Sequence, residues 1–188
     1  MSAILSQADE IFTKPIRIGP LKELIRDRLT NPQAIKRPKT ESIASILERE
    51  SETTIQNWLE AVEQDEELTC VPLSRVERTG HLPKLVRDLV ARLQLDSGSP
   101  GPVSKAARDH GEMRLQQGYT AAMVVEESRI LQVSIFSTLQ RNLAGVNFSR
   151  LLLDVVTIAD EVDSQLKQAM MSYVPQEATK SQAIGLAG

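Results

Sequence analysis

Few side chains in this sequence can do chemistry. Its 188 residues include two histidines, His81 and His110, and one cysteine, Cys70. A zinc site built on the two histidines would need carboxylates for half of its four ligands. No CxxC or HExxH spacing is present. No GxxxxGKS/T or GxGxxG run offers a loop to cradle a phosphate, and no GxSxG elbow exposes a serine. Carboxylates alone are left for acid–base work. The expectation is a chain without enzymatic activity, metal ion or cofactor.

The distinctive stretch is Asp109-His110-Gly111-Glu112-Met113-Arg114, followed by Gly118-Tyr119 and then by Glu127, Arg129 and Leu131. On a helix, His110 and Arg114 stand four residues apart on one face. Gly111 between them lets a neighbouring backbone approach closely. Gly118-Tyr119-Thr120 reads as a tight corner that folds the next helix back, so Glu127 can reach His110 or Arg114 across a helical hairpin. This spacing has two readings. One is a buried polar clamp that fixes helix packing; the other is a ligand- or signal-sensing cluster of His110, Arg114, Tyr119, Glu127 and Arg129. His110 as a phosphoacceptor, or as a haem ligand, is a further alternative.

The elements that must position these groups are helical. Apolar residues three and four apart mark helices over Ser2–Phe12, over the stretch opened by Gly19-Pro20, from Glu41 to about Val62, and after His81-Leu82-Pro83. Thr40 is the expected cap of the Glu41 helix, Ser74 and Glu77 form a capping box, and Thr120 caps the helix carrying Glu127. Gly145 is the expected left-handed stop of that helix and Asn147 the cap of the last one. The run Ser97–Pro102 reads as a linker. The fold class is all-α: a helical bundle, with a globin-like arrangement as one option, ending in a long C-terminal helix.

That last helix repeats apolar residues at alternating steps of four and three. Phe148, Leu152, Val155, Ala159, Val162, Leu166, Ala169 and Tyr173 form a 3.5-residue seam. A four-helix bundle uses the same spacing internally. The expectation is a homodimer with Leu152, Val155, Ala159, Val162, Leu166, Ala169 and Tyr173 at or beside its interface.

Composition narrows the class further. The net charge is −3 and aromatics are 3% of the chain, which argues against a polyanion binder and a base-stacking surface. Eight basic and two acidic residues lie between Lys14 and Lys39, whereas nine acidic and one basic residue lie between Glu41 and Glu67. Neighbouring helices presenting opposite charges account for this better than a nucleic-acid arm, because no recognition motif accompanies it. No run reaches the length of a membrane span, the N-terminus lacks a basic signal-peptide region, and the unpaired Cys70 suits a reducing compartment. A cytoplasmic protein is expected.

From about Leu73 to Tyr173 the chain resembles the RsbRD-type N-terminal domain, named for co-antagonist proteins of the bacterial stressosome. The matching residues are Leu82-Pro83-Lys84-Leu85-Val86, His110-Gly111, Arg114, Gly118-Tyr119, Val124-Val125, Glu127, Arg129, Leu131 and the helix with Ile158-Ala159-Asp160-Glu161-Val162-Asp163. Trp58 fits an aromatic of the family's earlier helix. The resemblance implies a non-catalytic input module of stress-response or two-component signalling. Its partner would be a sensor kinase or stressosome-type protein. The organisation expected is a helical arm at 1–40, the sensor-like domain at 41–174 and a flexible tail at 175–188. No strand pattern or kinase core follows Tyr173, leaving a stand-alone module and a fragment both open.

Overall fold

The computed structural model describes residues 17–30, 40–95 and 103–174. The expected Ser2–Phe12 helix, the Ser97–Pro102 linker and the tail from 175 lie outside the described residues. Those described form an all-α bundle with no strand. The elements are α1 (Ile18–Thr30), α2 (Ile43–Arg49), α3 (Ser51–Glu63), α4 (Glu66–Thr69), α5 (Arg75–Thr79), α6 (Leu82–Gln94), α7 (Lys105–Gln116), α8 (Ala121–Arg141) and α9 (Leu151–Met170). None of these helices is long and apolar enough to cross a membrane.

Local chemistry sets most boundaries. Ser74 and Glu77 cap α5 reciprocally, as their spacing predicts, and the Thr120 hydroxyl accepts from Met123 N–H at the start of α8. Gly118 takes φ +87°, a left-handed corner that L side chains resist, and so turns α7 into α8. Three boundaries differ from expectation. The helix predicted from Glu41 starts two residues later, at Ile43, because Ser42 and not Thr40 supplies the capping oxygen, and it breaks at Glu50 into α2 and α3. Gly145 is not left-handed; it ends a short 3-10 turn, Leu143–Gly145. Asn147 caps only a local turn, its Oδ1 accepting from Ser149 N–H at 3.0 Å, and α9 begins at Leu151.

The core is drawn from every helix between α2 and α9 except the polar α5. Ile46, Trp58, Val62, Leu68, Leu82, Leu89, Val124, Ile135 and Ile158 are all but closed to solvent. A parallel bridge pairs Glu41 with Val146: Glu41 N–H donates to Gly145 C=O at 2.8 Å and Asn147 N–H to Glu41 C=O at 3.3 Å. It ties the chain entering α2 to the connection between α8 and α9. Nearby, the Thr54 and Thr138 hydroxyls meet at 2.8 Å between α3 and α8.

α9 divides into two halves. In its C-terminal half Val162 and Ala169 are buried inside the bundle, Leu166 and Tyr173 pack partly against the core, and Gln165 Nε2 donates to Leu85 C=O of α6 at 3.1 Å. Here the heptad seam is internal packing. Toward the N-terminus Val155 and Ala159 are half-buried, whereas Leu152, Leu153 and Val156 are 79%, 56% and 66% exposed.

Candidate functional site

Five helices converge on one buried polar cluster. His81 stands just before α6, His110 and Arg114 lie on α7, Glu127 on α8 and Trp58 on α3, with Ala169 of α9 packed beside them. The approach of α7 to α9 is set by Gly111. A Cβ built there would collide with the backbone carbonyl of Ala169, so only glycine lets the two helices meet so closely.

Arg114 and Glu127 form the centre. Arg114 Nε donates to Glu127 Oε2 at 2.8 Å, and both side chains are almost fully withdrawn from water. Three of the four remaining guanidinium hydrogens are used: Nη1 donates to Gln117 Oε1 at 2.8 Å and to Glu77 C=O at 3.3 Å, and Nη2 to Arg78 C=O at 2.9 Å. The guanidinium carbon also lies 4.7 Å over the Tyr119 ring. Tyr119 in turn accepts from Arg78 Nη1 at 3.0 Å, and Arg78 donates to the carbonyls of Leu68 and Val71. The two arginines therefore stitch α7 and α8 to the α4–α5 corner through backbone carbonyls of Leu68, Val71, Glu77 and Arg78.

Burial pushes the Glu127 carboxyl above its ordinary range, and Arg114 pulls it back. Glu127 Oε2 is taken; Oε1 is shielded from solvent and has no partner at normal hydrogen-bond geometry, and the neighbouring Tyr119 hydroxyl joins Arg114 in holding the carboxyl down. Leaving a buried acceptor unsatisfied costs about 1–3 kcal/mol, more for a charge. The backbone of Glu127 is fixed from another side, where Trp58 Nε1–H donates to its carbonyl at 3.0 Å.

The histidines complete the cluster. Their rings stack with centroids 3.9 Å apart and 12° between planes, and Trp58 meets His81 edge-on. His110 Nε2 lies 3.7 Å from Glu127 Oε2, beyond a normal hydrogen bond. The Nδ1 atoms of both histidines are buried and unpartnered. Burial and the Arg114 charge lower His110 to about 3. Burial, then His110 and Arg114, push His81 well below the usual histidine range. Both rings are neutral at physiological pH. Burial and the Glu127 charge push the Tyr119 hydroxyl up to about 12, so it stays protonated. One ring nitrogen each from His81 and His110 and a carboxylate oxygen of Glu127 lie within 4.8 Å of one another. Beside them is a cavity of about 30 Å³, lined by Trp58, His110, Leu131 and Leu166 among others. It has room for one or two water molecules.

Of the five residues singled out from the sequence, His110, Arg114, Tyr119 and Glu127 meet here. Arg129 does not: it is exposed and pairs with Glu126 one turn away on the outer face of α8. The sequence reading missed His81 and Arg78 as members. The only signal for His81 was its being the second of two histidines; Arg78 gave none. Two alternatives for His110 lose their physical basis. The ring is only 7% exposed, so it is not presented to a phosphoryl donor on another protein. The cavity beside it is far smaller than a porphyrin. Comparison with family models, curated proteins and solved structures returns no match to the chain.

Proposed function

We propose that this chain is a non-catalytic, cytoplasmic signalling module whose input is the buried His81–His110–Arg114–Glu127 cluster and whose output is the position of α9. The observation that carries this reading is a buried Arg114–Glu127 ion pair with unsatisfied polar atoms around it, set where α7 touches α9 backbone to backbone through Gly111. Such a cluster is costly to maintain, and any event that satisfies or charges it changes how the helices pack. The resemblance of residues 73–173 to the RsbRD-type N-terminal domain supports the same role, with a sensor kinase or stressosome-type protein downstream. The unpartnered apolar residues Leu152, Leu153 and Val156 give α9 a surface on which a second copy can pair, so the signal would pass as a shift between twin helices.

A fusion experiment tests the role. The chain is joined through α9 to a dimeric histidine-kinase core, and autophosphorylation is compared between wild type and Glu127→Gln, with folding checked by circular dichroism. Different kinase levels from two equally folded fusions support an input module. Equal levels, matching the core alone, refute it. ATP turnover by the unfused chain, abolished by a single substitution, would refute the non-catalytic part.

A further inference from the structure

We infer that His81, His110 and Glu127 form a binding site for one divalent transition-metal ion of the zinc type. Two geometric observations support it. The ligand atoms already stand within 4.8 Å of one another, brought together from the start of α6, from α7 and from α8. Glu127 Oε1 and the Nδ1 atoms of both histidines are buried without a hydrogen-bond partner, so the same cluster holds polar atoms that the protein leaves unsatisfied.

Arg114 defines which ion fits. It binds Oε2, the oxygen 3.7 Å from His110 Nε2, and leaves Oε1 without a partner, so an outer hydrogen bond already orients the carboxylate. Its positive charge is dispersed over Gln117, Glu77 and Arg78 oxygens. A site with one carboxylate and a neighbouring cation is poor for magnesium or calcium, which take oxygen-rich sets. Two imidazoles and one carboxylate suit zinc, cobalt, nickel or iron(II), with open positions left for water. The stacked rings must turn for their lone pairs to converge, and the cavity of about 30 Å³ beside them gives space for that turn and for a bound water. As an ion site this stands on geometry. As the signal that moves α9, it rests on the sensing role proposed above.

The chain has only two histidines, so every imidazole signal from the untagged protein comes from this site. The chelator-stripped chain is titrated with Co2+ and with Zn2+. The expected result is one ion per chain, visible d–d bands with Co2+ that Zn2+ bleaches, and shifts of both imidazole nitrogen resonances at one equivalent of Zn2+. His81→Gln, His110→Gln and Glu127→Gln each weaken Co2+ binding at least about tenfold, the least that losing even an outer-shell partner costs. Cys70→Ser, which removes an exposed free thiol, leaves binding unchanged. The inference is overturned if saturating Zn2+ leaves both imidazole spectra unaltered, or if Cys70→Ser abolishes binding while the histidine variants retain it. The NMR readout uses the wild-type chain and does not depend on any variant folding. Ion binding with no change in the kinase fusion supports the site and refutes only the sensing role.

Discussion

The two halves of α9 are built on opposite principles. Toward its C-terminus the helix is locked: Ala169 presses its backbone on Gly111, Gln165 reaches the Leu85 carbonyl, and Val162 is buried. Toward its N-terminus, Leu152, Leu153 and Val156 stand out in water with nothing in the described chain to cover them. The same helical periodicity runs through both. What separates them is whether neighbouring helices reach that far: along the seam Val155 and Ala159 are half-buried and only Leu152 is exposed, and the free surface is completed by Leu153 and Val156, which lie off the seam.

The locked half should break first and hardest. Gly111→Leu puts a side chain where the Ala169 carbonyl already lies, and backbone cannot rotate away as a side chain can. The expected loss exceeds about 4 kcal/mol, at the far end of single-substitution effects. Thermal melting should show no folded protein near the wild-type Tm, and an unchanged Tm would mean that the two helices do not touch.

Arg114→Ala comes next, at about 3–5 kcal/mol, because it strands the buried Glu127 charge. Glu127→Ala in the same background should restore part of the loss. A double-mutant cycle by urea unfolding should give a coupling of about 1–3 kcal/mol, and additivity would dismantle the pair.

A smaller effect is expected from pH in metal-free protein. His110 is lowered on folding, so the unfolded chain binds its proton first. Its contribution to stability is present above the unfolded value of 6.5 and is lost as pH falls toward about 3. Between pH 7.5 and 5.5 this group alone should cost about 1.4 kcal/mol, with His81 acting in the same direction. Glu127 and Glu161, both raised by burial, take up protons on folding and oppose the trend as pH falls. His110→Gln should flatten the stability profile relative to wild type over that range, and an equally steep profile would show that His110 does not carry it.

The free half should scarcely respond in stability. Leu152→Lys with Val156→Lys is expected to change unfolding free energy by no more than about 0.5 kcal/mol in the monomer, as surface changes do. Sedimentation should nonetheless show loss of self-association. A wild type that stays monomeric at high concentration removes the pairing role from this surface.

Much of this was legible in the sequence because it depends on local chemistry. Ser74 with Glu77, Thr120 and Gly118 act on backbone groups within a few residues, so their spacing alone identifies them. His110, Arg114 and Glu127 were also legible, since a helix repeat and one corner bring them together. His81 and Arg78 were not, because they reach the cluster only through the packing of α6 and α5 on α7, which no local pattern encodes. Arg129 misled for a related reason: it lies near Glu127 in sequence but its side chain leaves from the other face of α8. The seam of α9 shows the same limit. A 3.5-residue period states that a face is apolar and leaves open what will cover it.

Trp58 carries a practical consequence. It is the one tryptophan in the chain, closed to solvent, hydrogen-bonded to the Glu127 carbonyl and edge-on to the His81 ring. An indole so placed emits as in an apolar medium, and a charged imidazole beside it withdraws excited-state electrons. Protonation of His81 should therefore quench the Trp58 emission, which gives the molecule a gauge of the cluster without any label.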